Sequence, residues 1–195
     1  MSPFDVTAFE PPLHVPDLAR GPVLLRPFRI SDLSLVREAS TDPYIPTITS
    51  VPSEYTDDEG RAFITRQHDR AAGGHGFSFV VAAADDPERG LGTVGLWLRE
   101  IDSGRASIGY WLVPSARGRG LAAAALETVV AFAFEELAIP RLHLFIEPWN
   151  TASARTAERA GFTREALLRG WERVENQQRD AYSYVLLREE WGNES

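Results

Sequence analysis

Arg117, Gly118, Arg119 and Gly120 stand directly before a long apolar helix pattern and directly after a β-rich run that stops at Pro114. The first turn of a helix has backbone N–H groups without intrahelical partners and carries the positive end of the helix dipole. Phosphate oxygens can fill such a site. Gly118 and Gly120 lack a Cβ, so a diphosphate can approach the main chain, and Arg117 and Arg119 can add bidentate, charge-assisted hydrogen bonds. Leu121 and Ala122 begin the helix whose free N–H groups would face the anion. The stretch is a candidate diphosphate cradle, which needs a strand to deliver it and a helix to aim at it.

Both elements are legible. Ser107, Gly109, Trp111 and Val113 alternate with Ala106, Ile108, Tyr110 and Leu112, so the run reads as a strand. Leu121, Leu126, Val129, Val130, Ala133, Phe134 and Leu137 then recur at helical spacing, with Pro140 marking the end. The motif keeps other readings open. Gly118-x-Gly120-x-x-Ala123 also fits a dinucleotide-binding fingerprint, with Glu147 at the end of the next strand as its ribose-binding acid. Against it, too few βα units follow the motif to build a doubly wound sheet. A plain glycine-rich connection with solvated arginines is the third reading. A Walker phosphate loop is excluded, because no Gly-Lys-Ser/Thr occurs.

Around this centre the chain reads as one domain. Residues 1–20, with Pro3, Pro11, Pro12 and Pro16, are expected to form an extended arm. Val23 to Phe28 is a short strand, and Ser31 is expected to cap a helix running to about Ala39. Thr41 to Ser53, with three prolines, is expected to be a loop. Thr56-Asp-Asp-Glu59 is a capping box opening a helix to about Ala71. The acidic triplet there fits capping better than a metal, since no other ligand types accompany it. Phe77 to Ala83 and Leu91 to Arg99 form a hairpin around residues 85–90, and Asp102-Ser-Gly104 turns the chain into the central strand. Arg141 to Glu147 is a strand, Asn150 caps a helix from Thr151 to Ala160, and two strands close the chain. The order predicts a mixed α/β fold: a single central, largely antiparallel sheet of about six to seven strands flanked by helices.

Composition narrows the function. The 195 residues suit one sizeable core, and no apolar run is long enough to cross a membrane. The opening residues lack the basic and apolar regions of a signal peptide, so the cytoplasm is the expected location. With no cysteine, disulfides, thiolate metal sites and a thioester-linked enzyme intermediate are excluded. The four histidines are scattered without metal-ligand pairing, and no metal is expected. A net charge of -8 argues against nucleic-acid binding and suits an amine partner. All twenty basic residues are arginine, as a G+C-rich bacterial genome would favour.

Arg117-x-x-Gly120-x-Ala122 after Tyr110-Trp111-Leu112-Val113 resembles the acyl-CoA pyrophosphate loop of the GNAT N-acyltransferase superfamily. Asn150-Thr-Ala-Ser153 followed by Ala-Glu158-Arg-Ala-Gly161-Phe162 is similar to the segment after that family's fifth strand. Leu168-Arg-Gly-Trp171-Glu172-Arg-Val, Arg179-Asp180-Ala-Tyr-Ser-Tyr184 and Leu187-Arg-Glu-Glu-Trp191 resemble the RimJ/RimL-type branch, the ribosomal-protein N-terminal acetyltransferases. The match spans about residues 21–191, leaving 192–195 as a tail.

The resemblance implies the GNAT fold and acetyl transfer from acetyl-CoA, as cosubstrate, to a primary amine, either a protein N-terminus or a small molecule. It implies direct attack in a ternary complex, without a metal. An N-terminal amine, with a pKa near ~8, loses its proton to a modest base. Glu172 holds the place of the branch's catalytic glutamate, and burial beside Trp171 would raise its pKa into the useful range. Ser153 aligns with the serine that protonates the CoA sulfur, although other GNAT enzymes use tyrosine. Asn150 resembles the asparagine that contacts the pantetheine arm. Backbone groups of Trp111, Leu112 and Val113 would pair with the pantetheine amides, and the N–H near Val113 would meet the oxyanion. Glu175 to Asp180 departs from the branch pattern of Asn-Gly then His-Asp, which leaves the acceptor open. A larger donor such as succinyl-CoA, or a noncatalytic acyl-CoA sensor, remains an alternative, and a homodimer is compatible with the exposed strands of this fold.

Overall fold

The computed structural model describes residues 4–192. Runs of β-branched and aromatic residues form eight strands: β1 (Leu18–Arg20), β2 (Val23–Arg26), β3 (Gly76–Ala83), β4 (Asp86–Trp97), β5 (Arg105–Leu112), β6 (Arg141–Ile146), β7 (Thr163–Val174) and β8 (Gln177–Leu187). They make a single sheet in the order β1-β2-β3-β4-β5-β6-β8-β7. Every pairing is antiparallel except β5 with β6. The helices are α1 (Leu33–Ser40), α2 (Ile45–Ile48), α3 (Asp57–Ala72), α4 (Leu121–Ala131) and α5 (Thr151–Arg159). α1 and α3 pack against β3 and β4 on one face. α4 and α5 lie on the other, where Phe132, just past α4, meets Phe77 and Phe79 edge-on.

The mixed α/β reading holds, and four local expectations need correction. The sheet has eight strands because the last residues of the expected arm, Leu18–Arg20, pair with β2. Residues 1–3 of that arm and 193–195 of the tail lie outside the described residues. Ser31 does not cap α1. Asp32 takes the place beside it, accepting from the Arg29 N–H at 2.7 Å while it pairs, fully buried, with Arg26 at 2.8 and 2.9 Å. A carboxylate brings two oxygens and a negative charge to these partners, where a serine hydroxyl brings one neutral oxygen. The Thr41 to Ser53 loop contains a helical turn, α2, in which Pro46 falls within the first turn and costs no hydrogen bond. β4 begins at Asp86, earlier than Leu91, because the Arg26 guanidinium takes the carbonyls of Pro87 and Glu88 at 2.8 and 3.1 Å and holds that stretch against the sheet.

The N-caps expected at Thr56 and Asn150 form. Thr56 accepts from the Glu59 N–H and Asn150 from the Ser153 N–H, each at 3.1 Å.

Candidate active site

β5 and β6 run side by side only from Arg105 to Ser107. Beyond Ser107 they part. Val113 donates its N–H to the Leu91 carbonyl, so by strand alternation Gly109, Trp111 and Val113 turn their main chain toward β4. The main chain of Ile108, Tyr110 and Leu112 therefore faces the opening between the two strands. At its end the chain turns through residues 114–120 into α4. Gly118 and Gly120 have φ of 75° and 76°, and a Cβ built at either would meet nothing within 4 Å. Their role is conformational: a left-handed backbone places the first turn of α4 behind an open, exposed loop.

A cavity of about 440 Å³ runs from this opening to α3. On the α5 side Tyr110, Asn150 and Ser153 line it. The Tyr110 hydroxyl donates to the Ser153 carbonyl at 3.3 Å. Burial raises the Tyr110 pKa, outweighing its contacts with Ser153 and Thr156, so the phenol stays protonated at neutral pH.

Glu147, at the end of β6, is 10% exposed and fully engaged. It accepts from Tyr44 Oη at 2.8 Å, Trp149 Nε1 at 2.9 Å and Arg179 Nη1 at 3.2 and 3.3 Å. Burial pushes its pKa up, but these donors and the Arg179 charge outweigh that and hold the carboxyl below its ordinary range. Tyr44 is raised by burial and by the Glu147 contact, so it is a donor and not a base. Glu172 lines the same cavity from β7, beside Asp180 of β8.

Several expected roles change with this geometry. The Val113 N–H is committed to Leu91 at 3.0 Å, so it is not a free oxyanion donor. Trp111 and Val113 likewise turn their main chain away from the opening, and only Leu112 of that trio faces it. Arg117 is partly committed to the fold: Nη2 pairs with Asp42 at 2.6 Å, and Nε donates to the Leu112 carbonyl at 3.0 Å, while the side chain stays half exposed. Arg119 alone of the two arginines is exposed without an ion pair among the described residues. Glu172 is exposed rather than buried beside Trp171, because β7 is the outermost strand and nothing covers its residues there. Glu147 has no unengaged face for a ribose, and a sheet with one parallel pair is not doubly wound, so the dinucleotide reading fails.

Asp42 is the residue the sequence did not reveal. Buried, it caps α2 by accepting from the Tyr44 and Ile45 N–H groups at 2.8 and 2.9 Å while it holds Arg117. Burial raises its pKa, but the two N–H bonds and Arg117 outweigh it and the carboxyl lies below its ordinary value. Its only local signal is the Asp-Pro pair, a common turn start. Tyr110 could have been found by alternation, which turns its main chain from β4. Nothing local shows that Tyr44 and Arg179 reach Glu147 from far along the chain.

The Acetyltransferase (GNAT) domain matches residues 23–163 of the chain, from β2 to the start of β7. The chain belongs to the GNAT acetyltransferase family. This GNAT enzyme is 28% identical over 170 residues to the uncharacterized N-acetyltransferase p20 of Bacillus licheniformis, a match covering 86% of this chain and 93% of p20. Its fold resembles Mycobacterium smegmatis RimJ in complex with CoA-disulfide, with a TM-score of 0.78 at 24% identity over 91% of this chain and 88% of RimJ. It also resembles the microcin C7 self-immunity acetyltransferase MccE in complex with acetyl-CoA and AMP, with a TM-score of 0.76 at 18% identity over 86% and 93% of the two chains. As a GNAT enzyme it is an acyl-CoA-dependent N-acetyltransferase. Among the described residues no helix is long and apolar enough to cross a membrane, and no cluster suits a metal ion.

Proposed function

We propose that this GNAT enzyme transfers acetyl from acetyl-CoA to a primary amine by direct attack in a ternary complex, within a unit spanning residues 21–191. The observation that carries the reading is the parting of β5 and β6 after Ser107, which opens a strand edge between an anion-binding helix start and a cavity. The bound donor supplies an activated acetyl group and a thiolate leaving group.

The residues fit that donor. Gly118, Gly120 and the N–H groups of Leu121 and Ala122 hold the diphosphate, with Arg119 adding charge. Arg117 sets the loop's position through Asp42 and the Leu112 carbonyl. The main chain of Tyr110 and Leu112, with Asn150, offers partners for the pantetheine amides along the open edge. Glu172 accepts the amine proton, directly or through water, and Ser153 returns a proton to the departing sulfur. The Tyr110 hydroxyl, protonated and next to Ser153, is a second proton donor on that side.

Calorimetry with acetyl-CoA, succinyl-CoA and NADH, followed by thiol release against amines and N-terminal peptides, tests the reading. Acetyl-CoA binding with amine-dependent thiol release is expected. Donor binding without turnover on any amine would overturn it.

A further inference from the structure

The α3 end of the cavity takes no part in the roles assigned above. Gln67, Arg70, Ser78 and Trp97 line it. Ser78 pairs with Gly95 across β3 and β4, and Gly95 pairs with Gly109 across β4 and β5, so the three sit in one row on the face that α3 covers. The two glycines make room for an indole. A Cβ at Gly95 would lie 2.2 Å from Trp97 Cζ2, and one at Gly109 would lie 3.3 Å from Trp97 Nε1. Trp97 therefore lies across the row as a floor, and the Arg70 guanidinium stands over its ring, 4.8 Å from the centroid.

Arg70 is partly buried and carries its charge without a counter-ion. Among the described residues no carboxylate lies within ion-pairing distance of it, and its side-chain partner is the neutral Gln67 amide. One helical turn away, Arg66 also lacks a carboxylate, donates to the Ser50 carbonyl at 2.9 Å, and repels it. Burial and that repulsion lower the Arg70 pKa. Arg26 shows how the same side chain is treated when it serves only the fold: its guanidinium is saturated by Asp32 and three main-chain carbonyls. Scarcity is no explanation, since acidic residues outnumber basic ones, 28 to 20. The second observation is independent. Ser78 Oγ is buried in the cavity wall with no hydrogen-bond partner among the described residues, a donor left for a group that enters the cavity.

We propose that the α3 end of the cavity holds an anionic group, a carboxylate or phosphate, borne by the amine acceptor, with Arg70 as its charge partner and Ser78 Oγ as a hydrogen-bond donor. The proposal rests on the acetyltransferase reading for the amine end of the same cavity. The cavity is then bipolar, with Glu172 and Asp180 at the β7–β8 end and Arg70 at the other. It favours a zwitterionic acceptor such as an amino acid, a peptide with an acidic group or an aminoalkyl phosphate. A polyamine would bring a second positive charge against Arg70.

The test follows thiol release from acetyl-CoA with ω-amino acids of increasing length, each paired with its own amide, and with aminoalkyl phosphates paired with the matching amino alcohols. For one chain length the anionic member should exceed its neutral partner in kcat/KM by roughly tenfold or more. Arg70→Gln should bring that ratio to about one, chiefly through KM, Arg70→Lys should restore part of it, and Ser78→Ala should reduce it severalfold. Equal use of both members by the wild type, or a preference that survives Arg70→Gln, overturns the proposal. Neutral amines consumed faster with succinyl-CoA than with acetyl-CoA, in an Arg70-dependent way, would place the anion on the donor and overturn the acceptor assignment. Calorimetry of the N-acetylated acids and their amides with the protein, with and without CoA, needs no turnover. Preference for the acid, weakened by Arg70→Gln, supports the site even if the acetyl-transfer reading fails, and equal binding of acid and amide overturns it. If Arg70→Gln does not fold, Arg70→Lys and Ser78→Ala carry the same comparison.

Discussion

The two ends of the cavity are built on opposite principles. The proposed donor end is built chiefly from one continuous piece of chain, from β5 through the 114–120 loop into α4, with Asn150 and Ser153 added from the start of α5, and it presents mostly main chain: an open strand edge, two left-handed glycines and a helix start. The acceptor end is assembled from α2, α3, β3, β4, β6 and β8, and it presents side chains: Tyr44, Arg70, Ser78, Trp97, Glu147 and Arg179. A donor shared by a whole family can be held by backbone, whose geometry tolerates changes of side chain. An acceptor that distinguishes one relative from another has to be read by side chains drawn from many places.

If that contrast is right, the largest effect comes from disturbing the backbone of the donor end. Gly120→Glu should weaken CoA binding by roughly a hundredfold or more, measured by calorimetry, since it sets a carboxylate against phosphate at a helix start. The left-handed φ of 76° adds a conformational cost of about 1–2 kcal/mol. Unchanged affinity would mean that the donor end does not depend on this loop. Next in size, Glu172→Gln should lower kcat by roughly a hundredfold at saturating donor, with CoA affinity unaltered. A kcat that stays level across pH would show that the amine loses its proton to another group.

Asp42→Asn strikes the link between the two ends. It should raise the KM for acetyl-CoA about tenfold by releasing Arg117. The lost charged hydrogen bond, about 2 kcal/mol, should lower Tm by roughly 4–8 °C. The smallest effect is on pH dependence. Asp42 and Glu147 both have carboxyl groups held below their ordinary values, so each contributes stability that is complete above those values, near 4, and fades as pH falls through the lowered ones. Thermal melts between neutral and strongly acidic pH should show wild type losing its advantage over Asp42→Asn only on the acid side of about pH 4. A constant difference down to the lowest pH would show that the aspartate acts by shape rather than charge.

The same contrast explains what could be read from the sequence. The β5-loop-α4 unit was legible because alternation, glycines and helical spacing are local, and so were the caps at Thr56 and Asn150. Ser31 misled because a hydroxyl before a helix looks like a cap, while the deciding partner, Arg26, comes from another strand. Nothing local reveals that Asp42, far away in the chain, takes one edge of the Arg117 guanidinium. The exposure of Glu172 follows from β7 standing at the edge of the sheet, a matter of strand order that no local pattern encodes. Trp97 and Arg70 meet only once β4 lies beneath α3.

The Asp42–Arg117 pair has a thermodynamic consequence. One carboxylate holds the start of α2, which carries Tyr44 over the acceptor end, and the arginine that braces the donor loop, so neither loop can shift without loading the other. Whatever free energy acetyl-CoA spends or gains in settling that loop is shared with the acceptor, and by reciprocity the acceptor returns the same amount. On the proposed roles of the two ends, this pair would make the two substrates partners in each other's affinity.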